Sequence, residues 1–155
     1  MLAALAVALT APQYHKDNYI QPFRSAQPGP GTYKGPSAFR RQLALRMQHI
    51  FYEDGPNTSV GIGVSRDAKG KETGRSILVN GKSDGNTSGD RFTTMMLGHL
   101  PALLAAHPER ACVIGFGTGF TAAALAGYET VRSVDIVEIS PVVRRAAHLF
   151  DAYND

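Results

Sequence analysis

The chain has 155 residues, 43% hydrophobic and 19% charged, enough for one ordinary domain with a sizeable core. Its single cysteine, Cys112, excludes an internal disulfide framework and a cysteine-based zinc cluster. The net charge of +3 is uneven: residues 1–50 carry six Lys/Arg and one acid, Asp17, against ten and twelve in residues 51–155. No basic run is interleaved with aromatics, so nucleic acid is not an expected partner.

Residues 1–9, "MLAALAVAL", are continuously apolar. A helix needs roughly 20 such residues to cross a bilayer, and the basic front of a signal peptide is missing. Three readings stay open: the tail of a membrane helix, a packed N-terminal helix, or a signal segment. Residues 10–37 hold five prolines and three glycines and read as a linker. Over 38–50, Phe39, Leu43, Met47 and Ile50 fall at helical spacing behind Ser37, which predicts an amphipathic helix.

The period then changes. In "TSVGIGVSR", Val60, Ile62 and Val64 alternate with small residues, which suits a strand. "RSILVNG" is a second strand, so the pair predicts an antiparallel hairpin, and "GKSDGNTSGD" reads as a turn-rich loop. Residues 90–106 predict a helix beginning near Asp90, with Phe92, Met96, Leu100, Leu103 and Leu104 buried and a bend at Pro101. His99 is expected partly buried in it. The other histidines are scattered without metal-ligand spacing, so no metal is expected. Two buried strands, 111–116 and 132–138, flank a small-residue helix at 118–127, and Cys112 is expected as a buried, inert thiol. A last helix, 141–150, opens on Pro141.

"VIGFGTG" places Gly115, Gly117 and Gly119 directly after the first of these strands. Such glycines turn the chain sharply and let a ligand approach the backbone. Nineteen residues beyond Gly119 the next strand ends at Glu138, where an acid can accept hydrogen bonds from both hydroxyls of a ribose. Asp135 lies on the opposite face and nearer the middle. The last glycine of a dinucleotide fingerprint is absent, since position 120 is Phe and 122 is Ala. The pattern therefore points to a nucleoside ligand such as S-adenosylmethionine rather than to NAD.

Taken together, "FYEDG" (51–55), "LVNGKSDG" (78–85), "GHLPALL" (98–104), "VIGFGTG" (113–119) and "VDIVEIS" (134–140) resemble the spermidine synthase (polyamine aminopropyltransferase) family, above all its members fused behind a block of membrane helices. The resemblance spans about residues 50–155. It implies an α/β fold: a small N-terminal antiparallel β domain, then the first part of a Rossmann-like, S-adenosylmethionine-type methyltransferase fold with an incomplete sheet. The divisions are an apolar N-terminus and linker (1–37), a helix with a small β domain (38–89) and the start of the cofactor domain (90–155). It also implies aminopropyl transfer from decarboxylated S-adenosylmethionine to a polyamine acceptor. By position, Gly115, Gly117, Thr118 and Gly119 would form the cofactor loop, Glu138 would bind the ribose, and Asp84 would stand where a cofactor-contacting Gln is expected. Asn80 and Gly81 replace an Asp-Gly pair.

The departures are specific. Thr118 occupies the place of an Asp that holds the aminopropyl ammonium. A Tyr-His-Glu that meets the polyamine falls at Thr93, Thr94 and Met95. Asp84 and Asp90 remain as the acids on this side, Asp90 as a substrate contact or either one as a loop or cap residue. The resemblance places the adenine-binding acid and the catalytic base beyond Asp155. The chain thus reads as an N-terminal fragment, inactive alone, whose sheet would expose an apolar edge and face. Expected partners are a small-molecule amine and a second copy of the chain. The location is cytoplasmic, at the inner face of the plasma membrane if membrane helices precede residue 1. Ordinary S-adenosylmethionine with another acceptor, or nucleoside binding without catalysis, are the alternatives.

Overall fold

The computed structural model describes residues 47–154. Residues 1–46, with the apolar start, the linker and most of the predicted first helix, lie outside them. Four strands, β1 (Gln48–Asp54), β2 (Ser59–Arg66), β3 (Glu72–Val79) and β4 (Lys82–Asn86), form an antiparallel sheet in sequential order. Helix α1 (Arg91–Leu104) follows. Then β5 (Arg110–Ile114), helix α2 (Phe120–Ala126) and β6 (Ser133–Val137) make a parallel βαβ unit. Helix α3 (Pro141–Ala146) continues as a 3-10 helix over Ala147–Tyr153.

The alternation in β2 is the anchor of the first sheet. Val60, Ile62 and Val64 are all but inaccessible to solvent. Val60 and Ile62 join Ile77 of β3 against Val142, Val143, Ala146 and Phe150. Helix α3 is therefore the second wall of the antiparallel sheet's core. Ser140 caps it by accepting from the Val143 N–H (3.4 Å), and Pro141 supplies the first-turn residue that has no N–H to lose. Polar clamps reinforce this seam. Tyr153 Oη donates to Glu72 (2.6 Å), Arg145 pairs with Glu53, and Arg75 donates to the Leu149 carbonyl. Residues 47–89 and 140–154 thus share one core.

Two predicted features of this half are corrected. Residues 48–50, expected at the end of a helix, are extended in β1, because β2 offers an antiparallel partner from Gln48↔Val64 to Asp54↔Ser59, interrupted by a register shift at Ile50. The predicted loop after Gly81 contains β4. Asn80 and Gly81 take φ of 50° and 77°, the left-handed pair of a two-residue hairpin turn, and β4 folds back on β3. It was hidden because its inward residue is Gly85, where a Cβ would come within 3.2 Å of Thr118 Cγ2. A glycine stands where the pattern needs an apolar side chain.

The second half is covered on one face. Val113 packs with Ala102 of α1 and Leu125 of α2, with Ala111 and Val134 alongside. The predicted buried face of α1 is corrected: Phe92 is 75% exposed and Leu104 83%, and Leu100 and Leu103 are exposed too. Gly98 and Ala102 are the buried residues. A Cβ on Gly98 would sit 2.7 Å from the Thr121 carbonyl oxygen, so the two helices approach too closely for a large side chain. The strands are corrected as well. Ile114 is 88% exposed, Ile139 81%, and Ile136 and Val137 are exposed. Cys112, on the same side of β5, is also exposed rather than buried. Alternate residues of a strand face opposite ways: Cys112, Ile114 and Val137 lie on the side away from α1 and α2, while Ile136, beside Val113, is on the packed side and still 43% exposed. No helix among the described residues is long and apolar enough to cross a membrane.

Candidate nucleoside site at the glycine bend

Strand β5 ends where the Gly115 N–H donates to the Val137 carbonyl at 2.7 Å. The chain then reverses through Gly115 (φ 88°), Gly117 (φ 56°) and Gly119 (φ 85°). All three lie in the left-handed region that side chains disfavour. Their surroundings differ. A Cβ at Gly115 or Gly117 would meet nothing within 4 Å, whereas one at Gly119 would strike Asn154 Nδ2 at 2.6 Å. The first two form an uncovered stretch of backbone, and the third is locked from behind. Asn154 donates to the Thr118 carbonyl (2.9 Å) and completes that lock.

Glu138, one residue beyond β6, faces this bend. Its Oε2 accepts from the Phe116 N–H and its Oε1 from the Ser140 N–H, each at 2.8 Å. A carboxylate offers about four lone-pair sites, so each oxygen retains capacity for another donor. Asp135 is mid-strand and exposed, 3.7 Å from Arg110, away from the bend. Thr118 is buried, its methyl against Gly85, so it contributes shape rather than charge.

A cleft of about 690 Å³ runs from the bend along the β5 edge that no described strand pairs with, walled by α1; Glu138 is not among its lining residues. Gly115, Phe116, Gly117 and Thr118 line its upper end together with Asp84, and Leu97, Pro101 and Val113 line its flank. Asp84 accepts from Lys82 Nζ at 2.8 Å. Asp90 is elsewhere: it is exposed, accepts from the Asn86 side-chain amide and does not line the cleft. His99 is half-buried, its Nδ1 3.0 Å from the Tyr128 hydroxyl, which fixes α1 to the end of α2. Among the described residues no group of three His, Cys, Asp or Glu could hold a metal ion. Sequence reasoning passed over Phe116, whose N–H orients Glu138, and Asn154 and Gly85, which pin the loop. Only Phe116 carried a signal, as the residue between two motif glycines.

Superposed on solved structures, the chain matches spermidine synthase in complex with the transition-state analogue AdoDATO, with a TM-score of 0.58 over 66% of this chain and 33% of that one. The fold is, in part, the spermidine synthase fold. Spermidine synthase from Thermotoga maritima gives the same TM-score over 35% of its length, and both are 20% identical to this chain. In sequence the chain is similar to putrescine N-methyltransferase 2 of Nicotiana tabacum, 32% identical over 80 residues, 52% of this chain and 23% of that protein. It is 31% identical over 80 residues to putrescine N-methyltransferase 2 of Nicotiana attenuata, 52% of this chain and 22% of that protein. No protein-family model matches. The chain spans about a third of the length of the synthases and under a quarter of the methyltransferases.

Proposed function

We propose that the chain is the donor-binding part of a transferase that moves an alkyl group from an adenosyl sulfonium to a polyamine-class amine. The observation that carries this reading is the Glu138 carboxylate held against an open glycine bend by the Phe116 and Ser140 N–H groups. The bend admits a nucleoside edge without a side-chain clash, and the carboxylate accepts from ribose hydroxyls. The likeness to spermidine synthases supports aminopropyl transfer. Methyl transfer is the second reading, favoured by the similarity to putrescine N-methyltransferases and by the uncharged Thr118 at the bend.

In either case the amine nitrogen forms a bond to the carbon beside sulfur, the carbon–sulfur bond breaks, a neutral thioether leaves and the nitrogen loses a proton to a base. Such a displacement needs alignment more than covalent catalysis, plus a base within reach of the amine. Asp84 is the one carboxylate among the described residues that lines the cleft, and Lys82 occupies it. The 155-residue chain alone is therefore expected to bind donor without turnover.

Calorimetry with 5′-methylthioadenosine tests the binding. Wild-type chain is expected to bind, and Glu138→Gln to weaken binding about tenfold, the value of one charge-assisted hydrogen bond. Absence of binding, or a Glu138→Gln variant that binds as wild type, would overturn the assignment. Formation of spermidine or N-methylputrescine from putrescine by the 155-residue chain would refute the expected inactivity.

A further inference from the structure

We infer that the Lys82–Asp84 pair at the mouth of the cleft recognises an α-amino-acid group, so that the site takes the carboxylate-bearing donor, S-adenosylmethionine, over its decarboxylated form. This rests on the nucleoside reading of the bend and, of the two transfers proposed above, follows methyl transfer.

The pair owes its place to an irregularity in the sheet. Ile77 pairs with Gly85 and the next residue, Leu78, with Ser83. Asp84 is thus the extra residue of a β-bulge, a device that re-aims a side chain. Gly85 seats β4 directly on Thr118, so the re-aimed Asp84 shares the cleft wall with Gly115–Thr118. Lys82 reaches it at 2.8 Å, and the two side chains are 70% and 40% exposed. Solvent-exposed partners can exchange their contact for a ligand at little cost.

The rest of the charge in the cleft is distant. Arg110 begins β5 and the bend follows the end of that strand, about 13 Å along it at ~3.3 Å per residue. Thr118 is neutral and buried. With Glu138 taken up by the ribose, a charged tail leaving the nucleoside at the bend meets the Asp84 carboxylate on the cleft wall, with the Lys82 ammonium 2.8 Å from it. That is the complement of an α-ammonium and an α-carboxylate on one carbon. A decarboxylated tail has only the ammonium, and would leave Lys82 opposing it.

Calorimetry on the full chain compares three ligands that share the nucleoside: S-adenosylmethionine, decarboxylated S-adenosylmethionine and 5′-methylthioadenosine. Wild type is expected to prefer the first over the second by about tenfold, less at high salt because the pair is exposed. Lys82→Ala should remove that preference while leaving 5′-methylthioadenosine affinity unchanged, and Lys82→Arg should keep it. If 5′-methylthioadenosine binds but the decarboxylated donor is preferred, or if Lys82→Ala weakens all three ligands alike, the inference falls and the nucleoside reading stands. If none of the three binds wild type, both fall together.

Discussion

The antiparallel sheet and the parallel pair carry similar apolar content to opposite ends. In the first, Val60, Ile62 and Ile77 are closed over by α3 and Phe150. In the second, β5 and β6 pack α1 and α2 on one side and leave Ile114 and Val137 exposed on the other. Stability is therefore concentrated around α3, while the glycine bend and its cleft occupy the edge of the lightly packed half. The contrast also explains why Ser140 matters to both. Its hydroxyl caps α3 and lies 3.2 Å from that of Thr58, and its N–H steadies Glu138. The best-packed helix thereby holds one side of the candidate site.

The comparison breaks first at Phe150. Phe150→Ala should cost about 3–5 kcal/mol, the range for emptying a buried aromatic site, measured by urea unfolding. A loss under about 1 kcal/mol would mean that the 3-10 extension of α3 does not help wall the core. Gly98→Val comes next. Overpacking the α1–α2 contact should cost about 1–3 kcal/mol, whereas Leu104→Ala on the exposed face should stay within about 0.5 kcal/mol. Reversed magnitudes would restore the face read from helical spacing. Ile114→Thr is expected to be equally small on stability, in contrast to Ile62→Thr in the closed core.

The seam has a pH signature. Hydrogen bonds from Arg75, with a smaller part from Tyr153, hold the Glu72 carboxyl below its usual value of 4.5, and the bond to Glu72 pushes the Tyr153 hydroxyl above 10.0. For an acid whose pKa is depressed by folding, the stabilisation is complete above the unfolded pKa and lost as pH falls through the folded one. Wild type should therefore lose stability on acidification below about 4.5 more steeply than Glu72→Gln. Ser59 and Tyr52 lower Asp54 in the same direction, so Glu72→Gln is expected to flatten the slope without abolishing it. Equal slopes would show that the Glu72 clamp adds nothing to the seam.

How much of this was legible depended on whether a residue's role was local. The β2 alternation, the Gly115–Gly119 turn, the acid after β6 and the Pro141 helix start are local signals, and each appears where the sequence places it. Strand β4 was illegible because Gly85 replaces the inward apolar residue to admit Thr118. The buried side of α1 was misread because a close helix contact selects Gly98 and Ala102 over the larger Leu and Phe. Cys112 and Ile114 look like core residues, yet a strand's environment is set by what covers each face, which its own sequence does not specify. Asp84 gained its position from a one-residue bulge, a register detail that no pattern in β4 announces.

The most direct test is a crystal structure of the chain grown with 5′-methylthioadenosine. The expected result is a nucleoside across Gly115 and Gly117, with both ribose hydroxyls within hydrogen-bond distance of Glu138. A nucleoside bound elsewhere, or one at the bend with Glu138 turned from the sugar, would contradict the account.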